Sequence, residues 1–199
     1  MEDIKVILAS SSPRRKEIFK MLKIPFEVKL PKVKEVLFED PLKTALENSL
    51  RKVKDVVERY NLKNKNVLVI SADTIVVLEN KILGKPKDEK EAYEMLKSLS
   101  GKTHKVITSV GLYFKDFYSF YDKAFVTFKN LSEKEIKWYI KTKEPLDKAG
   151  SYGIQGIGAV FIKEIQGDFF TVMGFPVSKF YDFLKDNLCL DLKNIISLP

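Results

Sequence analysis

Two adjacent arginines, Arg14 and Arg15, follow a run of serines in the segment LASSSPRRKEIF. The Ser12-Pro13 pair predicts a helix that begins at Pro13, with Ser12 as its N-cap. The first turn of a helix carries partial positive charge, so cations are unfavourable there and anions are welcome. Backbone amides, the hydroxyls of Ser10 and Ser12 and two guanidinium groups therefore predict a phosphate-binding turn, although solvated surface arginines fit the same residues.

A carboxylate and a lysine form the second candidate group. Asp73 directly follows the apolar run NVLVISA. A carboxylate at the end of a strand in an α/β fold commonly faces the ligand crevice, where it holds Mg²⁺ or activates water; the alternative is that it caps a turn. The segment ILGKP then returns along a predicted hairpin and brings Lys85 back toward Asp73, whereas Lys85 considered alone is a surface residue.

The third candidate is the glycine-rich segment DKAGSYGIQGIG. It matches neither the G-x-x-x-x-G-K-[ST] phosphate loop nor the G-x-G-x-x-G dinucleotide motif. Its glycines allow a close backbone approach to a ligand, and Lys148 and Gln155 could supply hydrogen bonds to it. An ordinary loop explains the same glycines.

His104 and Cys189 are the only histidine and the only cysteine of the chain. Neither a disulfide framework nor a His/Cys zinc site can therefore be assembled within it. We interpret His104 as a turn residue, because no Ser or Cys nucleophile with a recognisable signature accompanies it. Aromatic residues between positions 113 and 128 alternate with polar ones at strand spacing, which predicts core or subunit contacts rather than base stacking.

The elements that position these residues alternate between strand and helix at first and become β-rich later. Apolar periodicity and capping signals predict helices over about 13–22, 41–60, 89–99, 133–141 and 176–187. Strands are predicted at KVILA, FEVKL, NVLVISA, the hairpin TIVVLENKILG, the antiparallel pair KVITSVGLYFKD and FYSFYDKAFVTFK, and at AVFIKEI and FFTVM. This order predicts an α/β fold with a mixed sheet.

Composition limits the classes of partner. The 199 residues carry 35 Lys plus Arg against 27 Asp plus Glu, a net charge of +8. Positive charge favours nucleic acid, anionic membranes or phosphorylated small molecules, but no nucleic-acid-binding module is recognisable. The first residues become polar too soon for a signal peptide, and no apolar run reaches membrane-spanning length. We expect a soluble cytoplasmic protein with no membrane partner and no specific nucleic-acid binding.

Five segments in order closely resemble the Maf family of nucleoside triphosphate pyrophosphatases: LASSSPRRKEIF, SADTIVV, ILGKP, MLKSLSGKTHKV and EPLDKAGSYGIQG. The resemblance implies one Maf-like domain over residues 1–199. Its α/β fold would have an elongated mixed sheet, flanking helices and two lobes around a cleft, similar to the inosine triphosphate pyrophosphatases. The implied reaction cleaves a nucleotide to its monophosphate and pyrophosphate with a divalent cation, Mg²⁺ or Mn²⁺, and homodimers are frequent in the family.

The resemblance also implies roles for individual residues. Asp73 matches the proton acceptor, and Glu35 and Asp73 are the implied metal ligands, with Glu35 the one carboxylate left of the family's acidic pair. The family's Leu-Ala-x-x-Lys-Ala reads NSLRKV here, so Lys52 fits by spacing, with Arg51 and Lys54 as competitors. The implied substrate-binding residues are Ser10, Ser12, Arg14, Arg15, Lys52, Lys85 and Gln155.

Three positions divide the family by the base that is read. Arg14, Thr74 and Gln155 match the subfamily that acts on dTTP and UTP, with CTP or modified pyrimidine nucleotides as further candidates. The subfamily that acts on 7-methyl-GTP typically has Trp, Gln and Glu there. A 7-methyl-GTP pyrophosphatase and a nucleotide-binding regulator of cell division remain the alternatives.

Overall fold

The computed structural model describes residues 4–196. The chain divides into two compact units. The first takes in the chain up to Asp73, residues 108–122 and the chain from Gly174 onward; the second takes in residues 74–107 and 123–173. Within residues 4–196, no helix has both the length and the apolarity needed to cross a membrane.

Within the described part of the chain, seven strands form one mixed sheet, which confirms the predicted α/β fold class. The strands are β1 (Lys5–Leu8), β2 (Phe26–Val28), β3 (Val67–Leu78), β4 (Lys81–Leu83), β5 (Thr103–Phe114), β6 (Asp116–Phe128) and β7 (Ile162–Gln166). Their order is β2-β1-β3-β5-β6-β7, with β4 paired to β3. β1 runs parallel to β2 and β3, whereas the β3/β4 and β6/β7 pairs are antiparallel.

The helices are α1 (Pro13–Met21), α2 (Pro41–Arg59), α3 (Glu89–Leu99), α4 (Glu133–Lys141), α5 (Phe169–Met173) and α6 (Val177–Leu188). Three of them begin where the sequence predicts, because the N-cap side chains of Asp40, Asp88 and Ser132 accept hydrogen bonds from first-turn amides. Ser132 and Glu135 form the predicted capping box. Local capping thus sets the start of α2, α3 and α4.

In the first unit, α2 lies unusually close to the sheet. The hydroxyls of Ser71 and Ser109 donate to the carbonyl oxygens of Ser49 and Ala45, both at 2.5 Å. A Cβ at Gly111 would lie 2.6 Å from the Ser49 carbonyl oxygen, so β5 requires glycine there. The adjoining core comprises Ile7, Ala9, Val53, Val56, Val57, Leu62, Val67, Val69 and Tyr113. This packing fixes the face of α2 that also carries Asn48 and Lys52.

Strand β3 differs from the prediction at Asp73. The predicted strand NVLVISA and the first strand of the predicted hairpin form one continuous strand, β3. Asp73 therefore lies inside β3 and not at a strand end. The reason is that β3 has partners on both sides of this residue. Val67 to Ile70 pair with β1, and Val76 to Leu78 pair with β4.

Two other local predictions are wrong. The segment FFTVM is helix α5, because the Asp168 carboxylate accepts from the backbone amides of Phe170 (3.2 Å) and Thr171 (3.0 Å), an N-cap that outweighs the strand propensity of the segment. His104 is a strand residue of β5 and is 2% exposed. The turn before it is made by Gly101, whose φ is +69°.

Candidate active site

The serine and arginine turn before and within α1 is held by its own side chains. Ser10 Oγ accepts from the Ser12 amide and from Arg15 Nη1, both at 3.2 Å. Arg15 Nε donates to the carbonyl oxygen of Gly174 at 2.9 Å. Burial lowers the pKa of Arg15 to about 10, against the opposing charge of Asp73, so the guanidinium remains positive at neutral pH. Ser10, Ser12 and Arg15 therefore lie together at this turn.

The N-terminus of α1 lacks the side-chain cap that the sequence predicted. Ser12 occupies the N-cap position, but its hydroxyl makes no capping hydrogen bond, and the first turn contains no acidic residue. Arg14 lies in this turn and is half-buried. A helix start with two cations and no side-chain cap suits an anion, because both the amides and the helix dipole favour negative charge.

A second cluster joins three residues that are far apart in sequence: Glu35, Lys52 and Asp73. Lys52 Nζ lies 2.7 Å from Glu35 Oε1 and 2.6 Å from Asp73 Oδ1. The Asp73 side chain is 8% exposed and that of Lys52 13%, whereas Glu35 is 58% exposed. Burial raises the pKa of Asp73 above its ordinary value, and the Lys52 ammonium opposes that shift. We call these three residues the carboxylate–lysine cluster.

The three basic candidates on α2 have different surroundings. Lys52 is the residue that meets both carboxylates. Lys54 instead lies over the ring of Phe117, with 5.9 Å from its Nζ to the centroid. Arg51 is half-buried on the same helix. The spacing-based choice of Lys52 agrees with this geometry.

Asn48 is a residue of this region that sequence reasoning missed. Its Oδ1 accepts from the Val36 amide at 2.8 Å, and its Nδ2 donates to the Val36 carbonyl oxygen at 3.0 Å. Nδ2 also lies 3.5 Å from Asp73 Oδ2. Asn48 therefore holds the backbone next to Glu35 and contacts Asp73. A signal was available, since asparagine is a poor interior helix residue and stands here where the family motif has leucine.

The carboxylate–lysine cluster also fits a divalent cation. Two carboxylates converge on one position, which the Lys52 ammonium occupies. Within residues 4–196, no group of three or more His, Cys, Asp or Glu side chains could hold a metal. Mg²⁺ is commonly bound by one or two carboxylates together with substrate phosphates. The donor set therefore suits an ion that a phosphate ligand helps to hold.

In the second unit, the segments that carry Lys85 and Gln155 are linked through their backbones. The Gly150 amide donates to the Gly84 carbonyl oxygen at 3.1 Å. Gly150 has a φ of +69°, and a Cβ there would lie 3.0 Å from the Val76 side chain. Both Lys85 and Gln155 are exposed. The glycine-rich segment is thus built against the β3/β4 hairpin.

Two further sequence candidates lie in this unit. Thr74, the residue after Asp73 in β3, is half-buried. Lys148, which the sequence offered as a ligand donor, is already engaged: its Nζ donates to the Glu144 carbonyl oxygen at 2.8 Å and to Asp147 Oδ1 at 2.6 Å. Lys148 thus supports the chain before the loop.

Comparison with known proteins agrees with this arrangement. A family model described as Maf-like protein matches residues 5–187. The dTTP/UTP pyrophosphatase of Bacillus thuringiensis subsp. konkukian is 47% identical over 184 residues, which cover 91% of this chain and 94% of the relative. The dTTP/UTP pyrophosphatase of Bacillus cytotoxicus is 48% identical with the same coverage. Among solved structures, the Staphylococcus aureus Ham1 protein matches at 17% identity with a TM-score of 0.47, covering 79% of each chain, a likeness too distant to support a conclusion. The family match over nearly the whole chain and the near 50% identity to these relatives together place this protein in the Maf-like protein family.

Proposed function

We propose that this protein is a nucleoside triphosphate pyrophosphatase that hydrolyses dTTP and UTP to the monophosphate and pyrophosphate. The observation that carries the proposal is Asp73, a buried carboxylate with a raised pKa, in contact with a lysine and flanked by a turn suited to phosphate. The two Bacillus relatives that bear the name dTTP/UTP pyrophosphatase support it.

Hydrolysis between the α and β phosphates needs a base for the attacking water and positive charge for the departing pyrophosphate. Asp73 is the proposed base, since a raised pKa brings a carboxylate closer to the pH at which it must take and release a proton. Ser10, Ser12 and Arg15 are the proposed phosphate ligands of the α1 turn. Mg²⁺ or Mn²⁺, held by Glu35 and Asp73, would supply further positive charge to the triphosphate.

Further cationic groups are proposed substrate ligands. Arg14, Lys52 and Lys85 would neutralise the triphosphate, and Lys52 also compensates the charge of Asp73. Each of these contacts is a charged hydrogen bond. Loss of the Arg14 or Lys85 side chain is expected to lower kcat/KM and leave the fold unchanged. Loss of the Lys52 side chain would also leave Asp73 buried without its compensating charge, so stability should fall as well.

We assign base recognition to Arg14, Thr74 and Gln155. A neutral glutamine can pair its amide donor and carbonyl acceptor with the edge of uracil or thymine. The two bases differ by one methyl group, which a pocket distinguishes by only about 1 to 3 kcal/mol, so both dTTP and UTP should be cleaved. CTP and modified pyrimidine nucleotides are further proposed substrates.

The proposal also covers the cellular location and the oligomeric state of the enzyme. We propose a cytoplasmic homodimer whose partners are small-molecule nucleotides, with residues 1–199 acting as a single catalytic domain. The aromatic-rich segment of β5 and β6 is one candidate for the subunit contact. Light scattering at micromolar protein tests the dimer, and a monomer would contradict it.

Pyrophosphate release from a nucleotide panel, measured with Mg²⁺ and with Mn²⁺, tests the proposed activity. We expect the highest kcat/KM for dTTP and UTP and low values for unmodified purine triphosphates. The Asp73→Asn variant controls for contaminating activity, and Asp182→Asn, an exposed aspartate of α6, is its matched control. A preparation that favours 7-methyl-GTP and ignores dTTP and UTP would contradict the base assignment.

A further inference from the structure

Residues 153–158 form a short loop around Gln155, which we call the Gln155 loop. Its C-terminal end is bound by one carboxylate. Glu144 Oε2 accepts from the Ile157 amide at 2.8 Å, and Glu144 Oε1 accepts from the Gly158 amide at 3.1 Å. Glu144 precedes the loop in sequence, in the 3₁₀ turn Glu144–Asp147. The carboxylate thus closes the loop on two consecutive amides.

Tyr139 of α4 binds the other end of the loop. Its hydroxyl accepts from the Gly153 amide at 3.1 Å and donates to Glu144 Oε1 at 2.7 Å. One phenol and one carboxylate therefore hold both ends of the loop and each other. Partial burial pushes the pKa of Glu144 upward, but the hydrogen bonds from Tyr139, Ile157 and Gly158 outweigh it and hold the pKa below its ordinary value. Glu144 is thus ionised at neutral pH.

The glycines of the loop are required by this arrangement. A Cβ at Gly156 would lie 2.4 Å from Glu144 Oε2, and one at Gly158 would lie 2.5 Å from the Tyr139 hydroxyl oxygen. A Cβ at Gly153 would lie 2.9 Å from Lys148 Cε and 3.2 Å from Glu144 Oε1. Gly156 and Gly158, which the sequence left open as part of an ordinary loop, are therefore explained by the two side chains that bind the loop.

Gln155 is an exposed residue between the two bound ends of the loop. Ile154, before Gln155, is 6% exposed, and Gln155 itself is exposed. The bound amides of residues 153, 157 and 158 fix the backbone on both sides of Gln155. Glu144 and Tyr139 therefore hold the backbone segment from which the Gln155 side chain departs.

We propose that Glu144 and Tyr139 are positioning residues for base recognition: they fix the backbone of the Gln155 loop and so determine which nucleobase Gln155 accepts. The inference rests on the function proposed above, which gives Gln155 its role. Neither side chain is assigned contact with substrate. A loosened loop would let the Gln155 amide adopt other orientations and pair with the edges of other bases, so discrimination should decline.

The first test compares Glu144→Gln with the parent on dTTP and dGTP. A glutamine keeps the shape but replaces one acceptor oxygen with a donor, which cannot satisfy all three partner groups. We expect the ratio of kcat/KM for dTTP over dGTP to fall about tenfold, as expected for lost charged hydrogen bonds, with the change mainly in KM. Glu164→Gln, an exposed residue of β7, is the charge-matched control and should keep the parental ratio.

A ratio within about twofold of the parent in folded Glu144→Gln would overturn the proposal, as would an equal loss for both nucleotides, because a generally weakened protein loses both alike. Tyr139→Phe removes only the hydroxyl and carries the same test should Glu144→Gln fail to fold. Its ratio should fall in the same direction. An unchanged ratio in folded Tyr139→Phe would count against the proposal in the same way.

Amide hydrogen exchange tests the clamp without any substrate. Ile157 is 39% exposed, so protection of its amide depends on the bond to Glu144. Exchange at Ile157 and Gly158 should accelerate about tenfold in Glu144→Gln, since loss of a charged hydrogen bond favours local opening. Unchanged exchange rates would overturn the clamp. A parent that releases no pyrophosphate from dTTP or UTP would remove the proposed function while leaving this exchange result interpretable.

Discussion

The carboxylate–lysine cluster and the Gln155 loop hold their functional groups by different means. In the cluster, side chains bind side chains: one ammonium meets two carboxylates, and Asp73 is almost wholly buried. In the loop, the side chains of Glu144 and Tyr139 bind backbone amides, and Gln155 remains exposed. The contacts of the cluster compensate the charge of Asp73, whereas those of the loop fix the position of its backbone.

The difference matches the roles that we propose for Asp73 and Gln155. Burial raises the pKa of Asp73, the proposed proton acceptor, and a buried charge is costly unless a compensating charge lies beside it. A neutral amide that reads a base needs no altered acidity, only a fixed direction. Fixing a backbone in a tight space requires glycine, and Gly156 and Gly158 meet that requirement.

Replacing the proposed base should give the largest effect. Asp73→Asn preserves size but cannot accept the proton of water, so we expect kcat to fall by about 10²- to 10⁴-fold with the fold intact. Pyrophosphate release and circular dichroism are the measurements, with Asp182→Asn as control. A variant that keeps most of its activity would show that burial of Asp73 serves the structure alone.

Lowering the pH should reduce the free energy of unfolding through His104, a buried histidine of the second unit. His104 Nε2 lies 2.8 Å from the Tyr152 hydroxyl oxygen, and burial lowers the pKa of His104 to about 4. An unfolded histidine has a pKa near 6.5, so between pH 6.5 and 4 the unfolded state binds more protons. The stabilisation is complete above pH 6.5 and falls as the pH falls, by about 3 kcal/mol at pH 4.

Urea unfolding across this pH range measures the effect in the parent and in His104→Gln. Because His104 is the only histidine, the difference between the two curves isolates its contribution from that of the carboxylates. Parallel curves would mean that His104 takes up its proton equally in both states.

Asn48→Leu breaks the support of the carboxylate–lysine cluster without removing a charge. The backbone amide and carbonyl of Val36 lose their partner, which we expect to cost about 2 kcal/mol of the free energy of unfolding. Because Glu35 adjoins Val36, kcat/KM should fall as well. Asn187→Leu, at an exposed position of α6, is the matched control, expected within about 0.5 kcal/mol of the parent. Full activity and stability in Asn48→Leu would mean that Glu35 is held by other contacts.

The smallest effect is expected at the start of α4, the helix that carries Tyr139. Ser132→Ala removes the capping box and should lower the free energy of unfolding by about 1 kcal/mol. Nucleotide preference should stay at the parental value, since Tyr139 lies near the other end of the helix. A shift in the dTTP over dGTP ratio here would indicate that α4 as a whole, rather than the Tyr139 hydroxyl, positions the loop.

The sequence by itself determined the features that depend on neighbouring residues. The caps at Asp40, Asp88 and Ser132, the strand periods and the mixed α/β class follow from interactions across three or four positions. Even the missed helix at FFTVM had a local signal in Asp168, which the aromatic and β-branched residues after it obscured. The choice of Lys52 over its neighbours rested on spacing within one motif.

Only the tertiary structure decided the features that join distant segments. Glu35, Lys52 and Asp73 meet because α2 packs closely on the sheet, and Asp73 lies inside β3 because two different strands pair on either side of it. His104 is buried, and Glu144 binds amides 13 and 14 residues away. Such contacts depend on which apolar surfaces are buried against each other. That packing is a property of the folded chain and not of any local segment.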